Sequence, residues 1–278
     1  MMHWDWRLFS SVRLGGDMTE DTQVATRPGG LPQVNKIGFS DIGEALGQGW
    51  HDFMRAPQYG LIFGGFYVLG GFAILAALAV YDMPWMIIPV AIGFPLLGPF
   101  IAVGLYDVSR RLHAGEPLKM GEIFGLMFRQ KDRQLGWMAF VVLFIFWIWV
   151  YQVRLLLALF LGFKSFSSVG MFLTVITTTS EGLGFLAVGT LVGAGLSFVL
   201  FASTVVAMPL LLERELDFVS AIITSFKAVT KNFLPMIAFG ALIVLFTFVA
   251  MVPAFLGLVL ALPILGHATW HLYKKLVV

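Results

Sequence analysis

The chain has 278 residues, of which 59% are hydrophobic and 12% are charged, and its net charge is +2. A soluble domain has about 25% charged residues, so this composition excludes an ordinary water-soluble surface and predicts an integral protein of the lipid bilayer. The small net charge gives no reason to expect nucleic acid as a partner. The absence of cysteine excludes disulfides, thiolate metal sites and cysteine nucleophiles.

The N-terminal segment differs from the rest of the chain because it is polar and rich in glycine and threonine. It lacks the continuous apolar run that a signal peptide needs. We therefore predict a disordered cytoplasmic tail over residues 1–34, followed by a membrane domain over residues 35–278. Both Met1 and Met18 are candidate start residues, since Met18 begins a typical polar N-terminus.

Six apolar stretches are long enough to cross the hydrocarbon core, which takes about 20 residues in helical form. They lie at residues 59–81, 85–106, 135–163, 183–212, 235–251 and 252–273. The last two adjoin, and Pro253 is the expected turn between them. The predicted fold class is therefore all-α, a polytopic membrane protein of about six transmembrane helices arranged as three hairpins.

A short amphipathic segment precedes each hairpin, with apolar residues at the i, i+3, i+4 and i+7 spacing of one helix face. In the first, Ile42, Ala45, Leu46, Gly49, Trp50 and Phe53 form the apolar face, and Asp41, Glu44, Gln48, Asp52 and Arg55 the opposite one. The second begins at Met120 and the third near Phe218. We predict three cytoplasmic helices lying in the headgroup plane. The candidate repeat units are residues 35–113, 114–212 and 213–278.

Basic residues are distributed unequally between the two predicted sides of the membrane. Of the 18 Lys and Arg residues, 16 fall in the N-terminal segment, in residues 107–134, in residues 213–234 and at the C-terminus. Cytoplasmic segments carry such an excess. The asymmetry predicts that the N- and C-termini are both cytoplasmic.

Two histidines near the C-terminus could carry chemistry. His267 and His271 are four residues apart, so they share one helix face, and this spacing can bind a metal ion. No second acidic or histidine cluster falls in another predicted transmembrane core. We therefore predict no metal site and no cofactor. The alternatives for the pair are anchoring or packing of the helix beside Trp270 and Tyr273, or binding of a metal or haem.

Arg154 is the one basic residue inside a predicted span, and an intramembrane charge is a candidate functional position. Its side chain either extends to the outer interface as an anchor or lines a polar cavity against Glu181. Small residues spaced by four predict close helix packing. These are Gly60 and Gly64 in the first span and Gly189, Gly193 and Ser197 in the fourth.

Residues 263–273 read Pro-Ile-Leu-Gly-His-Ala-Thr-Trp-His-Leu-Tyr. This stretch resembles the closing motif of a family of predicted integral membrane proteins, domain of unknown function 2189. Residues 178–182, 208–214 and 221–235 resemble the family as well, so that the resemblance spans Val34 to Lys275. It implies a mainly proteobacterial family of the cytoplasmic (inner) membrane, and it supplies no catalytic residues.

Enzyme motifs are absent from the sequence, including a phosphate loop, a dinucleotide fingerprint, a nucleophile elbow and His-Glu-x-x-His. We therefore predict no enzymatic activity. The leading hypothesis is an accessory or assembly protein that acts through helix packing and contact with other membrane proteins or a second copy. The alternatives are a small transporter or channel with a polar site near Arg154, and a metal- or haem-binding protein through His267 and His271.

Overall fold

The computed structural model describes residues 31–81, 98–128, 133–162 and 169–278. In these ranges the helices are α1 (Phe39–Arg55), α2 (Pro57–Tyr81), α3 (Gly98–Ala114), α4 (Met120–Phe128), α5 (Arg133–Leu161), α6 (Val169–Thr178), α7 (Ser180–Thr204), α8 (Ala207–Glu213), α9 (Phe218–Lys231), α10 (Phe233–Met251) and α11 (Leu258–Leu276). Contacts between residues divide the chain after Leu31, and the unit Pro32–Val278 carries all of these helices. Most of the predicted N-terminal tail lies outside the described residues.

Local sequence signals account for several helix ends. Thr179 caps α7 by accepting a hydrogen bond from the backbone N–H of Gly182 at 3.0 Å. Asp217 caps α9 in the same way, from the N–H of Ser220 at 2.9 Å. These bonds satisfy donors that have no partner within the helix. After α3 the chain turns at Gly115, whose φ of 68° is readily adopted by glycine.

Three segments of the described residues are long and apolar enough to cross a membrane: Gln134–Leu161, Ser180–Glu213 and Phe233–Met251. They correspond to the third, fourth and fifth predicted spans. The first predicted span falls on α2 and the sixth on α11, while the second lies partly outside the described residues. The all-helical class and the presence of apolar helices are confirmed. The arrangement of six spans in three hairpins stays a prediction.

Helix α11 is the centre of the packing, because it contacts α1, α2, α3, α8 and α10. A turn from Val252 to Gly257 separates it from α10 and contains left-handed backbone at Ala254 and Phe255. The expected turn residue Pro253 lies in this segment. The prediction that the two helices adjoin there is nevertheless wrong, since α11 begins only at Leu258. Its C-terminal half is buried within the protein.

Helix α1 packs against α11 through most of its apolar face. Ile42, Gly49 and Phe53 are buried, whereas Trp50 remains 51% exposed. The protein thus covers a face that we predicted to lie on lipid, so the interfacial position of this helix is not confirmed. The placement of Asp52 on the polar face is wrong, because Asp52 is buried as well.

Helix α9 buries its small side chains and exposes bulky apolar ones, whereas α1 buries most of its apolar face. It packs against α7 and α8 through small side chains, among them Ala221, Thr224 and Ser225. The bulky residues Val219 and Ile223 are exposed. This outward apolar face suits contact with lipid, although the predicted headgroup-plane position of α9 stays a prediction.

One end of the unit, which we call the polar end, joins the residues before α1, the C-terminal ends of α3, α9 and α11, and the segment that follows α8. Asn35 donates its backbone N–H to the carbonyl of Leu276 at 2.8 Å. Asn232, after α9, donates from Nδ2 to the carbonyl of Asn35 at 2.9 Å. The rings of His113 and Trp270 lie 5.5 Å apart between α3 and α11. Each of these segments belongs to a region with excess Lys and Arg, so the structure brings those regions together.

Candidate functional site

The two candidate histidines lie on α11 but have partners on different helices. His271 Nε2 lies 2.7 Å from Oδ2 of Asp52 on α1. His267 Nδ1 lies 2.8 Å from Oγ of Ser109 on α3. Both contacts join residues far apart in sequence, so the histidines fasten α11 to two other helices.

Asp52 lies beside both contacts. Burial raises the pKa of its carboxyl, but the interactions with His271 and Ser109 outweigh burial, and the net effect is a pKa below the ordinary value of 3.8. Asp52 is therefore ionised at neutral pH. Hydrogen bonds join His271 to Asp52 and Ser109 to His267, and we call these four residues, which lie on three helices, the polar chain.

The contact between Ser109 and His267 lies inside the protein. Which of Ser109 Oγ and His267 Nδ1 donates the proton depends on the tautomer of the histidine. Nε2 of His267 is buried without a hydrogen-bond partner in the described part of the chain. His267 and Ser109 are both fully buried.

The two histidines have few neighbours that could also bind a metal ion. The described residues contain no group of three or more His, Cys, Asp or Glu side chains placed to hold a metal. A structural zinc site generally has four protein ligands. Next to His271, Asp52 is the side chain that could also bind a metal. His267 instead faces the Ser109 hydroxyl. The metal and haem hypothesis gains no support from this arrangement.

A second group of polar contacts holds the last turns of α11. Glu213, at the end of α8, accepts hydrogen bonds from Trp270 Nε1 at 3.0 Å, from the Tyr273 hydroxyl at 3.2 Å and from Lys274 Nζ at 3.0 Å. Lys275 pairs with Asp41 and Glu44 of α1. These contacts make the polar end a cross-linked assembly of helices.

A buried carboxylate also fixes the end of α3. Asp107 accepts hydrogen bonds from Arg110 and Arg111, and Arg111 continues to Glu122 of α4 at 2.9 Å. Burial lowers the pKa of Arg111, but the bonds to Asp107 and Glu122 outweigh it and raise that pKa. Arg111 thus stays charged and ties α4 to α3.

An open cleft of about 330 Å³ lies between α1, α3 and α11 at the polar end. Its lining residues are mostly charged, polar or aromatic: Gln48, His51, Asp52, Arg55, His113, Trp270, His271, Lys274 and Lys275. A neighbouring cleft of about 310 Å³ shares His113, Trp270 and Lys274 with it and reaches Arg110 and Glu213. Of the candidate histidines, His271 lines the first cleft.

The structure does not bring Arg154 to either of these clefts. Arg154 is exposed on α5 and is absent from the lining of both. Glu181 is exposed in the first turn of α7, where its carboxylate accepts a hydrogen bond from the Ser180 hydroxyl at 3.0 Å. An exposed position suits the interpretation of Arg154 as an anchor, and it gives the transporter hypothesis no support.

The candidate packing glycines differ in how closely other helices approach them. A Cβ on Gly64 would lie 2.7 Å from the Cα of Val259 in α11, and one on Gly60 would lie 2.6 Å from the ring of Phe53. On α7, a Cβ on Gly193 would meet the indole of Trp149 at 2.7 Å. Gly189 has only an ordinary contact, at 3.9 Å from Leu156, and Ser197 is exposed.

Sequence reasoning missed Asp52, Ser109 and Glu213 as partners of α11. A signal for Asp52 was present, because it continues the spacing of three and four residues that links the buried positions Ile42, Ala45 and Gly49. Ser109 and Glu213 lie on other helices. No local spacing relates them to α11.

Comparison with known proteins gives one result. No curated protein and no solved structure matches the chain. The family model described as predicted integral membrane protein (DUF2189) matches residues 87–213. The match includes the segment at 178–182, whereas the closing motif at 263–273 lies beyond it. The resemblance expected from the sequence is therefore confirmed over residues 87–213: this chain resembles the predicted integral membrane proteins of the DUF2189 family.

Proposed function

We propose that the protein is a non-enzymatic accessory protein of the cytoplasmic membrane that acts by binding a partner at its polar end. The open cleft between α1, α3 and α11 is the observation that carries this proposal. Its lining includes the exposed side chains of Gln48, His51 and Arg55, and hydrogen bonds hold its helical walls in place. A preformed concave site with a few converging polar groups is the usual form of a binding site.

The polar chain supports binding in preference to catalysis. A serine or histidine that performs nucleophilic or general base chemistry must reach the substrate within hydrogen-bonding distance. Ser109 and His267 are fully buried and face each other. His271 lines the cleft, but its Nε2 is bonded to the buried Asp52 carboxylate. These groups serve to fix the walls of the cleft.

Purification of the full chain in mild detergent tests the binding role. We expect the wild type to retain a protein partner in stoichiometric amount, identified by mass spectrometry. A variant with Gln48→Ala and His51→Ala should lose at least about 80% of it, because both side chains line the cleft from α1. Loss of one to two anchors at a binding interface costs about tenfold or more in affinity.

The matched control is Gly47→Ala, on the same helix. Gly47 is exposed, and a Cβ there would meet nothing within 4 Å. This variant should retain the partner as the wild type does. A wild-type sample that holds no stoichiometric protein, or equal retention by the cleft variant, would contradict the proposed function.

The distribution of basic residues supports a cytoplasmic position for the polar end. The lack of cysteine allows a direct test with single introduced thiols. Gly47→Cys at the polar end should react with a membrane-impermeant maleimide only after the cells are opened. Thr178→Cys, exposed between α6 and α7, should react in intact cells. The reverse pattern would place the polar end outside.

A further inference from the structure

Basic side chains outnumber acidic ones in the lining of the cleft between α1, α3 and α11. Arg55, Lys274 and Lys275 line it, and Asp52 is the one acidic side chain among the described lining residues. The Asp52 carboxylate accepts a hydrogen bond from His271 and is only 5% exposed. A ligand entering the cleft therefore meets basic groups ahead of the carboxylate.

Arg55 is the basic residue most available to a ligand. It is exposed and has no ion-pair partner among the described residues. Lys274 already pairs with Glu213 at 3.0 Å, and Lys275 pairs with Asp41 and Glu44. A guanidinium presents several N–H groups in a fixed plane that matches the oxygens of a phosphate.

Further N–H donors and an aromatic wall complete the lining. The side chains of Gln48, His51 and His113 supply N–H groups. The Trp270 ring forms part of the wall, with Lys274 Nζ 5.8 Å from its centroid. This set of groups can bind an anion through several hydrogen bonds at once.

Arg55, Lys274 and Lys275 also lie in the last turns of α1 and α11. Positive charge there stabilises each helix through its dipole. That effect accounts for a basic residue on each helix separately. It does not account for their convergence on one open cleft, nor for the exposed apolar groups beside it.

Those apolar groups are Trp50 and Met54, which are 51% and 58% exposed. They alternate along α1 with the cleft residues His51 and Arg55. Helix α2 begins at Pro57, directly after this turn. A ligand that combines an anionic group with a long apolar part can thus contact the cleft and the neighbouring apolar side chains together.

The geometry points to a site for the phosphate of an anionic phospholipid headgroup, with Arg55 as its main ligand and the acyl chains beside Trp50 and Met54. Basic pockets between helices on the cytoplasmic side of a membrane bind acidic headgroups. The inference rests on the proposed binding role of the polar end and adds a lipid ligand to the protein partner proposed for the same cleft.

Native mass spectrometry of the detergent-purified full chain tests the assignment, with phosphatidylglycerol and phosphatidylcholine as probes. The wild type should bind phosphatidylglycerol about tenfold more tightly than phosphatidylcholine, and Arg55→Gln should abolish this difference. Arg55→Lys keeps the charge but loses the planar donor set, so it should retain part of the preference. An unchanged apparent melting temperature would establish that the variants are folded.

The matched control is Lys227→Gln, which removes one exposed positive charge from α9, outside the cleft. It should keep the lipid preference of the wild type. An equal loss in Lys227→Gln and Arg55→Gln would overturn the site, since general surface attraction would then explain binding.

A competition experiment with inorganic phosphate distinguishes a site for a lipid headgroup from a site for free phosphate. Addition of about 1–10 mM inorganic phosphate at constant ionic strength should leave the bound lipid in place, because free phosphate lacks the apolar part. Displacement of the lipid would overturn the assignment to a headgroup. The two proposals can fail separately. If the Gln48 and His51 variant loses the protein partner but the wild type shows no preference for phosphatidylglycerol, this inference is refuted and the proposed function stands.

Discussion

Substitution of Gly64 by alanine is expected to lower the free energy of unfolding by about 1–3 kcal/mol, the usual cost of overpacking a well-packed contact. The added Cβ would lie 2.7 Å from the Cα and 2.8 Å from the carbonyl oxygen of Val259. Both are backbone atoms, so α2 and α11 must move apart to accommodate it. The apparent melting temperature of the detergent-solubilised protein measures the change.

The neighbouring glycine supplies the control. Among the described residues, a Cβ on Gly65 would meet nothing within 4 Å. Gly65→Ala should leave the stability unchanged or raise it by up to about 1 kcal/mol, since alanine favours a helix more than glycine does. Equal melting temperatures for the two variants would show that α2 and α11 are not in close contact at Gly64.

Asp52→Ala is the second substitution with a large expected effect. It removes the carboxylate that is hydrogen-bonded to His271 on α11. A buried polar group left without its partner costs about 1–3 kcal/mol, and the variant leaves His271, whose side chain is 11% exposed, without the carboxylate. We expect a lower melting temperature and faster amide hydrogen exchange at the C-terminal end of α11.

Glu44→Ala is a matched control, because Glu44 is also an acid on α1 that bonds to α11. Its partner is Lys275, and the Glu44 side chain is 61% exposed. Exposed ion pairs contribute about 0–1 kcal/mol, so this variant should be nearly as stable as the wild type. If Glu44→Ala lowers the melting temperature as much as Asp52→Ala does, burial of Asp52 does not account for the effect.

Composition and hydrophobic pattern were sufficient to predict the helical membrane class. Apolar stretches over 135–163, 183–212 and 235–251 correspond to the three segments that can cross a membrane. The fourth stretch is helical on both sides of a turn at Val205 and Val206, which an unbroken apolar pattern does not reveal. Hydrophobicity identifies such segments because, in lipid, each position of a helix favours an apolar side chain and the backbone must satisfy its own hydrogen bonds.

The contacts at the polar end could not be predicted in the same way. The i, i+4 spacing places His267 and His271 on one face of α11, but their partners come from α3 and α1. Periodicity describes one helix and contains no information about which helix packs against it. We predicted Asp52 on the polar face of α1 because it is acidic. Its spacing, however, is that of the buried residues of this helix.

The central position of α11 also affects the order in which the protein can assemble during translation. Asp52 and His271 are 219 residues apart. At about 5–20 residues per second, the ribosome needs roughly 10–45 s to synthesise the chain between them. Throughout that interval the buried face of α1 has no α11 to cover it, and Asp52 lacks its imidazole partner. The buried face of α1 is therefore covered only after α11 has been made, and α11 completes the packing of the earlier helices.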